Sequence, residues 1–446
     1  MSRTLLTAAL LAAVVVPMHA AAQVSTALEE YRLPNGLRVI LQPDSRVARV
    51  TVDLWCHAGA VAQGLGQSGY AHLFEHVAFA GSKHIPKSAF DSLIPSLGGK
   101  EDAITGLDRT MFWATVPANA LEQVLWMRSE QLGFVADAIT PEVFERQKAV
   151  VLNERLQSID NRPYGPSREQ LQHLMFPAGS PYHELMAGRA DDVRRATVAD
   201  VRAFFERYYN PANATLVIVG RYDPGEARRL VDKYFGTLRN HIVAATPPAA
   251  LTPATPPTHE VRQIVREDVA AARLHVGWIV ARPIAGDDPD LEMAGWILNG
   301  KRPSVLWRRL VVDAKVADDA RCDLDRLRLG STFICRVTVK PGVDPARAEH
   351  ELDALLNDLA TRGPSDDDLA AAKAAARVYY WEDEEQLLAH AETLAYFAFY
   401  AGDPGYLQKH LARLAAASPD SVREAIHRWL SPTRRAVVLT LPEKAR

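Results

Sequence analysis

Two histidines and a glutamate lie within one helical turn of each other in the first quarter of the chain. The segment Gly69 to Gly81 reads GYAHLFEHVAFAG, which predicts a helix with His72 and His76 on one face and Glu75 beside them. The other faces are apolar, so this helix should be buried. Buried imidazoles and a buried carboxylate need partners, because an unpaired buried charge is costly. A zinc ion would satisfy all three groups, since two neutral imidazoles bind it and the carboxylate holds the water that it activates.

A catalytic zinc usually takes a third protein ligand and leaves its fourth position to water. Spacing alone does not identify that ligand, and four acids downstream are candidates: Glu130, Asp137, Glu145 and Glu154. Thr140-Pro141-Glu142 predicts a helix start, with a capping threonine, a proline in the first turn and an acid near the positive end of the dipole. Glu154 follows the apolar pair Val150-Val151 by one turn, so burial makes it the best candidate. We expect Glu130 and Glu145 to be solvated surface charges.

The composition is that of a folded, soluble protein with more than one domain. The 446 residues are 48% hydrophobic and 24% charged, the usual balance for a chain that buries a large core. A formal net charge of −3 provides no broad basic surface, which argues against nucleic acid as a partner. Three cysteines exclude a scaffold built on disulfides and a four-cysteine zinc ribbon, whereas 14 histidines leave room for a histidine-based metal site.

Residues 1–22 are predicted to be an export signal. Arg3 precedes the uncharged apolar run Leu5 to Val16, and Ala20 to Ala22 gives a small-residue cleavage pattern. The apolar run is shorter than the roughly 20 residues that cross a bilayer. We therefore expect a periplasmic protein without a membrane span, with secretion as the alternative.

The rest of the chain is predicted to consist of two duplicated α+β domains. Thr246 to His259 contains five prolines and predicts an extended linker between residues 23–245, the zinc-binding catalytic domain, and residues 260–446, a homologous domain without zinc. Phe204 to Val219 aligns with Ala425 to Thr440 at an offset of 221. Each half is predicted to open with a strand pair, to form an antiparallel-rich sheet covered by helices, and to close with a helix, a proline and a strand.

Local signals fix a few elements within this plan. Tyr31 to Leu41 places an Asn-Gly turn between two apolar runs and predicts a hairpin. The closing helix of the first half is expected to begin near Thr197 and to end before Asn210-Pro211. Cys322 and Cys335 flank a second predicted hairpin, where a disulfide and two separate buried thiols are equally compatible with the sequence.

The run His72-Leu73-Phe74-Glu75-His76 is the inverted zinc motif, and Glu154 lies 78 residues beyond it in VVLNE. With these residues the chain resembles the pitrilysin/insulinase family of metallopeptidases, in particular the bacterial two-domain subunits related to mitochondrial processing peptidase. The likeness extends over the chain after the export signal and includes LPNGLRVIL, GGKEDAITGLDRT, SPYHELMAG and FFERYYNPANATLVIVG. It implies a pitrilysin-like fold and one zinc per chain. His72, His76 and Glu154 would be the ligands and Glu75 the general base.

The resemblance also implies where a peptide substrate binds. In the family the substrate adds as a strand to a sheet edge, and the matching segment makes Asp102, Ala103 and Thr105 the candidate contacts. An ordinary loop and strand is the alternative interpretation of these side chains. Two positions depart from the family pattern: Gln147 stands where relatives often carry a second glutamate, and Asp102 replaces a frequent asparagine.

The second half departs further from the family. At an offset of 219 the motif positions are occupied by Leu291, Ala294 and Gly295, so no zinc is expected there. Relatives that work alone or as homodimers usually present an arginine and, seven residues on, a tyrosine to the substrate. The matching positions hold Val311 and Asp318, and using the nearby Arg308-Arg309 would need a shifted alignment. We therefore expect the zinc-bearing member of a heterodimer whose homologous partner subunit supplies that arginine and tyrosine, with a homodimer or monomer as alternatives.

These observations predict an exported zinc-dependent endopeptidase that hydrolyses peptides or extended segments. Glu75 would take a proton from water and pass it to the leaving amine. The alternative is a non-catalytic structural or assembly subunit of a related complex. The intact Glu75 argues against that alternative, because a structural role does not require a general base.

Overall fold

The computed structural model describes residues 28–240, 252–299 and 304–443. The predicted export signal, residues 1–22, and the first part of the predicted linker, residues 246–251, lie outside the described residues.

The first sheet has six strands. They are β1 (Glu29–Arg32), β2 (Arg38–Pro43), β3 (Arg49–Cys56), β4 (Lys100–Thr105), β5 (Thr110–Pro117) and β6 (Ala214–Gly220). Their order is β1-β2-β6-β3-β5-β4, with β2 and β6 parallel and the other pairs antiparallel. The predicted hairpin is present, since β1 pairs with β2 around the Asn35-Gly36 turn, where Gly36 has a φ of +91°. β4 is an edge strand that pairs with β5 alone.

The second sheet repeats this plan with five strands. They are β7 (Val261–Glu267), β8 (Arg273–Val280), β9 (Ala317–Asp325), β10 (Ser331–Val339) and β11 (Ala436–Pro442). The order β7-β11-β8-β10-β9 matches β2-β6-β3-β5-β4, and the one parallel pair, β7 with β11, corresponds to β2 with β6. One expectation is wrong: β7 and β8 do not pair with each other, because β11 lies between them.

Helices cover both sheets. Those of the first half are α1 (Tyr70–Val77), α2 (Lys87–Ser96), α3 (Leu121–Gly133), α4 (Pro141–Arg155), α5 (Gly165–Met175), α6 (Ala190–Arg195), α7 (Val198–Tyr208) and α8 (Pro224–Phe235). Those of the second half are α9 (Asp288–Asn299), α10 (Val305–Trp307), α11 (Pro345–Arg362), α12 (Asp366–Glu385), α13 (Leu387–Tyr400), α14 (Leu407–Ala416) and α15 (Pro419–Trp429). Two π-helical turns, Leu156–Asp160 and Arg308–Asp313, continue α4 and α10. None of the helices in the described residues is both long enough and apolar enough to cross a bilayer.

The start of α7 shows how local sequence sets an element. Thr197 caps the helix in a reciprocal capping box with Asp200, and the helix ends at Tyr208, just before Asn210-Pro211 as predicted. The equivalent helix α15 begins with the same device at Ser418 and Ser421. The first half does not close at β6, however, because α8 follows it and packs on α3.

Each sheet has one face on the helices of its own half and the other face on a helix from the opposite half. On the second face of the first sheet, Ile40 and Trp55 pack with Ala391 and Ala395 of α13. On the second face of the second sheet, Ile279, Ala436 and Val438 pack with Leu171 and Met175 of α5. The same apolar cluster includes Val61, Phe176, Tyr182 and Leu329. The two halves therefore share apolar cores, and the predicted class of two helix-covered α+β units is confirmed.

The structure decides the question of the cysteines that the sequence left open. Cys322 and Cys335 form a disulfide between directly opposite positions of β9 and β10. Cys56 is a free, buried thiol in β3.

Candidate metal centre

The helix that carries the two histidines is set in place by glycines. Gly69, with a φ of +86°, directly precedes α1, and α1 is buried along Tyr70 to Phe74. Gly188, with a φ of +65°, packs so closely on it that a Cβ at position 188 would lie 2.1 Å from the Gly69 nitrogen. Neither position accepts a side chain, so this close approach fixes the N-terminus of α1. The helix ends at Val77, four residues earlier than the glycine at position 81.

His72, His76 and Glu154 converge on one point. The Nε2 atoms of the histidines are 3.2 Å apart, and Oε2 of Glu154 is 3.4 Å from Nε2 of His72 and 3.2 Å from Nε2 of His76. Two ligands bound to a tetrahedral zinc at about 2.0–2.1 Å lie about 3.3 Å apart, so the three separations are those of a zinc ligand set. The imidazole planes meet at 77°, which lets both lone pairs point to a common centre.

The protonation state of His72 also fits a metal ligand. Burial, together with the neighbouring His76, lowers the pKa of His72 to about 4, so the imidazole is neutral at pH 7. Its buried Nδ1 has no hydrogen-bond partner among the described residues. A neutral, buried imidazole facing a second imidazole and a carboxylate is the donor set that zinc prefers. The residues present therefore fit the ion.

Glu75 lies next to this group and faces the edge strand β4. Burial raises its pKa to about 7, and the nearby Asp102 and Glu154 act in the same direction. The side chain and backbone of Thr105 donate hydrogen bonds to the carboxylate and oppose the rise. A carboxyl group with a pKa near 7 can both accept and donate a proton at neutral pH.

Glu154 reaches the site from the last turn of α4. Thr140 caps this helix by accepting from the Val143 nitrogen at 3.3 Å, with Pro141 in the first turn, as predicted. The next residue, Arg155, donates to the carbonyl of Gly188 and pairs with Glu169 at 2.9 Å. Arg155 therefore connects the end of α4 to the loop around Gly188, which packs on the start of α1.

The expectations about burial of the candidate acids were partly wrong. The side chain of Glu154 is 43% exposed and Val150 is 39% exposed, so this stretch of α4 is not apolar all round. Glu130 is 3% exposed rather than solvated, and it accepts hydrogen bonds from Ser82 at 2.6 Å and His84 at 2.9 Å. Glu145 is exposed and pairs with Lys148 at 2.7 Å, as expected of a surface charge.

The three candidate substrate contacts all belong to the edge strand β4. Thr105 is buried against Glu75, Ala103 is buried, and Asp102 is exposed. The carboxylate of Asp102 accepts from the backbone nitrogen of Ala103 at 2.8 Å, and β4 pairs only with β5. A peptide that adds to this edge would have to compete with the Asp102 side chain for that donor.

A second cluster with metal-ligating side chains, which the sequence did not reveal, joins the last turn of α5 to the loop after it. His173, His183 and Glu184 bring ligand atoms within 4.8 Å of one another. The two imidazoles are stacked at 17° with centroids 4.3 Å apart, so their in-plane lone pairs run nearly parallel and do not converge. His183 Nδ1 donates to the Phe176 carbonyl at 2.6 Å, and His173 pairs with Glu184 at 3.1 Å. This arrangement satisfies the histidines without a metal.

The corresponding region of the second half offers no such ligand set. Leu291 and Ala294 are buried in the core on α9, and both metal-compatible clusters in the described residues lie before residue 185. Arg308 pairs with Asp368 at 2.6 Å and Arg309 with Glu351 at 2.9 Å, so both arginines are engaged within their own half.

The chain is similar to known zinc proteases and matches two models of one peptidase family. The model of the insulinase family (peptidase family M16) matches residues 38–179, which contain all four residues of the proposed site. The model of the peptidase M16 inactive domain matches residues 195–376. The zinc protease PqqE of Helicobacter pylori is 26% identical over 332 residues, 74% of each chain. The beta subunit of the mitochondrial-processing peptidase of Blastocladiella emersonii is 26% identical over 207 residues, 46% of this chain and 44% of that one.

Solved structures give the same fold. The crystal structure of a protease from Helicobacter pylori superposes with a TM-score of 0.88 at 23% identity and covers 94% of this chain and 100% of that one. The first half of the periplasmic protease PqqL from Escherichia coli superposes with a TM-score of 0.74 at 19% identity, covering 93% and 92%. Two models of one family together match well over half of the sequence, and the chain belongs to the insulinase (M16) family of peptidases.

Proposed function

We propose that this chain is an exported zinc-dependent endopeptidase that hydrolyses peptides or extended segments. The proposal depends mainly on one observation, the mutual spacing of 3.2–3.4 Å among the ligand atoms of His72, His76 and Glu154. In this proposal residues 23–245 form the catalytic domain, and residues 260–446 form a homologous domain that binds no zinc. The zinc proteases among its relatives support the same reaction class.

His72, His76 and Glu154 would hold one zinc ion. When bound, zinc polarises a peptide carbonyl and makes a water molecule more acidic. Glu75 would take the proton of the attacking water and then pass it to the leaving nitrogen, which its pKa of about 7 suits. The bonds from Thr105 hold the Glu75 carboxylate toward β4, where Asp102, Ala103 and Thr105 would receive the substrate backbone as an added strand.

The proposal includes a partner subunit. Val311 and Asp318 occupy the positions where the resemblance expects an arginine and a tyrosine, and Arg308 and Arg309 are already paired. A second homologous subunit would supply these groups, as in a heterodimer, and one relative is itself a subunit of a processing peptidase. The periplasm is the proposed location, in keeping with the predicted export signal and with the relative described as periplasmic.

The experiment compares the wild type with Glu75→Gln. Both should bind one zinc per chain, because Glu75 is not in the ligand set, whereas peptide turnover should fall about 10²- to 10⁴-fold with loss of the proton-transfer group. Zinc is measured by elemental analysis and turnover with a fluorogenic peptide library, with and without proteins that co-purify from the native host. Equal turnover of the two proteins would overturn the proposal and favour a non-catalytic assembly subunit.

A further inference from the structure

A cavity of about 820 Å³ lies between the two halves. Its wall includes Ser158 and residues 162–165, in the turn between α4 and α5. Ser158 follows Glu154 by four residues in a continuous helical segment, a rise of about 6 Å. On the first-half side Arg109 and Trp55 also line the cavity, and Arg109 lies in the turn after the edge strand β4. A peptide bound at β4 is therefore within reach of this cavity.

One wall of the cavity carries a cluster of arginines. His275, Arg336 and Arg321 are directly opposite one another on β8, β10 and β9, so their side chains share the face that points away from the second-half core. Arg168 of α5 and Arg273 of β8 face the same group, and their charges act on both His275 and Arg336. Like charges at directly opposite strand positions are destabilising, so the fold alone gives no reason for this row.

The neighbouring groups neutralise this cluster only in part. Arg336 pairs with Asp323, and Arg273 donates to the Thr338 hydroxyl at 3.0 Å and lies 3.6 Å from the centre of the Tyr164 ring. Asp319 and Asp325 lie on the same face of β9. The side chains of Arg168 and Arg321 form no hydrogen bond or ion pair with other described residues. Both are exposed to the cavity, so their guanidinium donors are free to bind a ligand.

His275 provides a second, independent sign of a ligand. It is 4% exposed, lines the cavity, and its buried Nδ1 has no hydrogen-bond partner among the described residues. Burial and the surrounding arginines lower its pKa to about 3, so the ring is neutral and one of its nitrogens carries a hydrogen. Buried polar atoms without partners are rare in folded proteins and commonly mark a place that a ligand or water completes.

We propose that Arg168, Arg321 and Arg336 form an anion subsite that binds a carboxylate of the peptide substrate. Guanidinium groups bind carboxylates through paired, charge-assisted hydrogen bonds. The single ammonium group of a lysine does not provide this paired geometry, so a row of arginines suits a carboxylate better than a row of lysines would. The inference rests on the proposed function, since it names the class of substrate: peptides with an acidic side chain or a free C-terminal carboxylate beyond the cleaved bond. His275 lies beside the subsite and contributes a polar contact.

The test measures peptide binding to the Glu75→Gln protein, so that it does not depend on turnover. Three labelled peptides of one sequence are compared by fluorescence anisotropy: one with a glutamate and an amidated C-terminus, one with glutamine and a free C-terminus, and one with neither charge. We expect at least one charged peptide to bind about tenfold more tightly than the neutral one. The peptide that does so identifies the source of the carboxylate. Equal binding of all three would overturn the proposal.

Variants locate the subsite. Arg168→Gln combined with Arg321→Gln should remove the tenfold preference, and Arg321→Glu should reverse it toward a peptide with lysine in place of glutamate. Arg229→Gln is the matched control, because Arg229 is an exposed arginine paired with Glu226 on α8, and it should retain the preference. A preference that survives in the double variant, or disappears in the control, would overturn the assignment. Failure of the wild type to cleave any peptide would refute the proposed function separately from these binding results.

Discussion

The three ligand atoms of the proposed zinc site would repel one another if no cation or proton lay between them. The Nε2 atoms of His72 and His76 are 3.2 Å apart, and the Glu154 carboxylate adds a negative charge 3.2–3.4 Å from both. The low pKa of His72 disfavours its charged, doubly protonated form at neutral pH. Neutral rings can carry a hydrogen on Nε2, but no choice of neutral tautomers satisfies all three contacts at once, because each ring has a single N–H. A divalent cation removes the repulsion among all three atoms together. We therefore expect these residues to favour zinc binding and not to stabilise the metal-free chain.

Replacing His72 tests this ligand set. His72→Ala removes one of three protein ligands and is expected to weaken zinc binding by more than about 100-fold, since even changes outside the ligand shell cost 10- to 100-fold. Competition with a chromogenic chelator measures the affinity. His173→Ala is the matched control, because His173 belongs to the stacked pair, and it should bind zinc as the wild type does. Loss of zinc from the control alone would place the metal at the second cluster.

Half of this site follows from physical reasoning on the sequence, and the other half follows from the resemblance to the family. The i, i+4 spacing of His72 and His76 follows from helix geometry alone. The third ligand does not, since it depends on how α1 and α4 pack across 78 residues of chain. Burial was a poor guide to it: Glu130 is more buried than Glu154, but Ser82 and His84 occupy its oxygens. The hydrogen-bond partners of a buried acid are set by tertiary structure.

At the scale of single elements, close backbone contacts position the zinc helix. Gly188→Ala is expected to destabilise the protein by about 3 kcal/mol or more and to weaken zinc binding. The new Cβ would lie 2.1 Å from the Gly69 nitrogen, in addition to the cost of a positive φ. Gly179→Ala is the control, since Gly179 has a φ of +92° with nothing within 4 Å of its Cβ position, and it should lose only about 1 kcal/mol. Urea unfolding measures both, and equal losses would show that contact with Gly69 is unimportant.

The disulfide of the second-half hairpin is expected to stabilise the protein, and its removal tests this. Cys322→Ser with Cys335→Ser is expected to lower the free energy of unfolding by about 3 kcal/mol, the loop-closure value for a bridge between residues 13 apart. Urea unfolding of the oxidised wild type and of the double variant gives the difference. Adding reductant should lower the free energy of unfolding of the wild type to nearly that of the double variant. The Cys56→Ala variant, which keeps the disulfide, should respond to reductant as the wild type does. A wild type that is insensitive to reductant would contradict the prediction.

Elements with a local signal were predictable, and elements set by distant partners were not. The Asn-Gly dipeptide predicts the hairpin at Asn35-Gly36, and the capping threonine predicts the start of α7. Both elements occur at the predicted positions. The expected pairing of β7 with β8 failed because β11, more than 150 residues later, inserts between them. Strand order depends on such long-range pairs, which a local pattern does not encode.

At the scale of the whole molecule, the halves are held together by an exchange of helices. α5 of the first half packs on the second sheet, and α13 of the second half packs on the first sheet. The duplication of the α+β domain could be predicted from the sequence, because the helix, proline and strand near Pro211 recur near Pro432. The exchange of helices could not be predicted from the sequence. Apolar residues on α5 and α13 indicate that each helix has a buried face, but they do not indicate which sheet buries it. Shared cores of this kind make independent unfolding of the halves unfavourable.

Ala395→Leu tests the exchange, because Ala395 lies fully buried between α13 and the first sheet. The larger side chain overfills this contact and should lower the free energy of unfolding by about 1–3 kcal/mol. Hydrogen exchange should show the loss at both β3 and β8, since a strand in either half opens only when the shared cores open. Ala370→Leu, an exposed alanine on α12, is the control and should leave both strands as protected as in the wild type. If Ala395→Leu accelerates exchange in β3 and leaves β8 unchanged, the two halves unfold separately and the exchanged helices do not couple them.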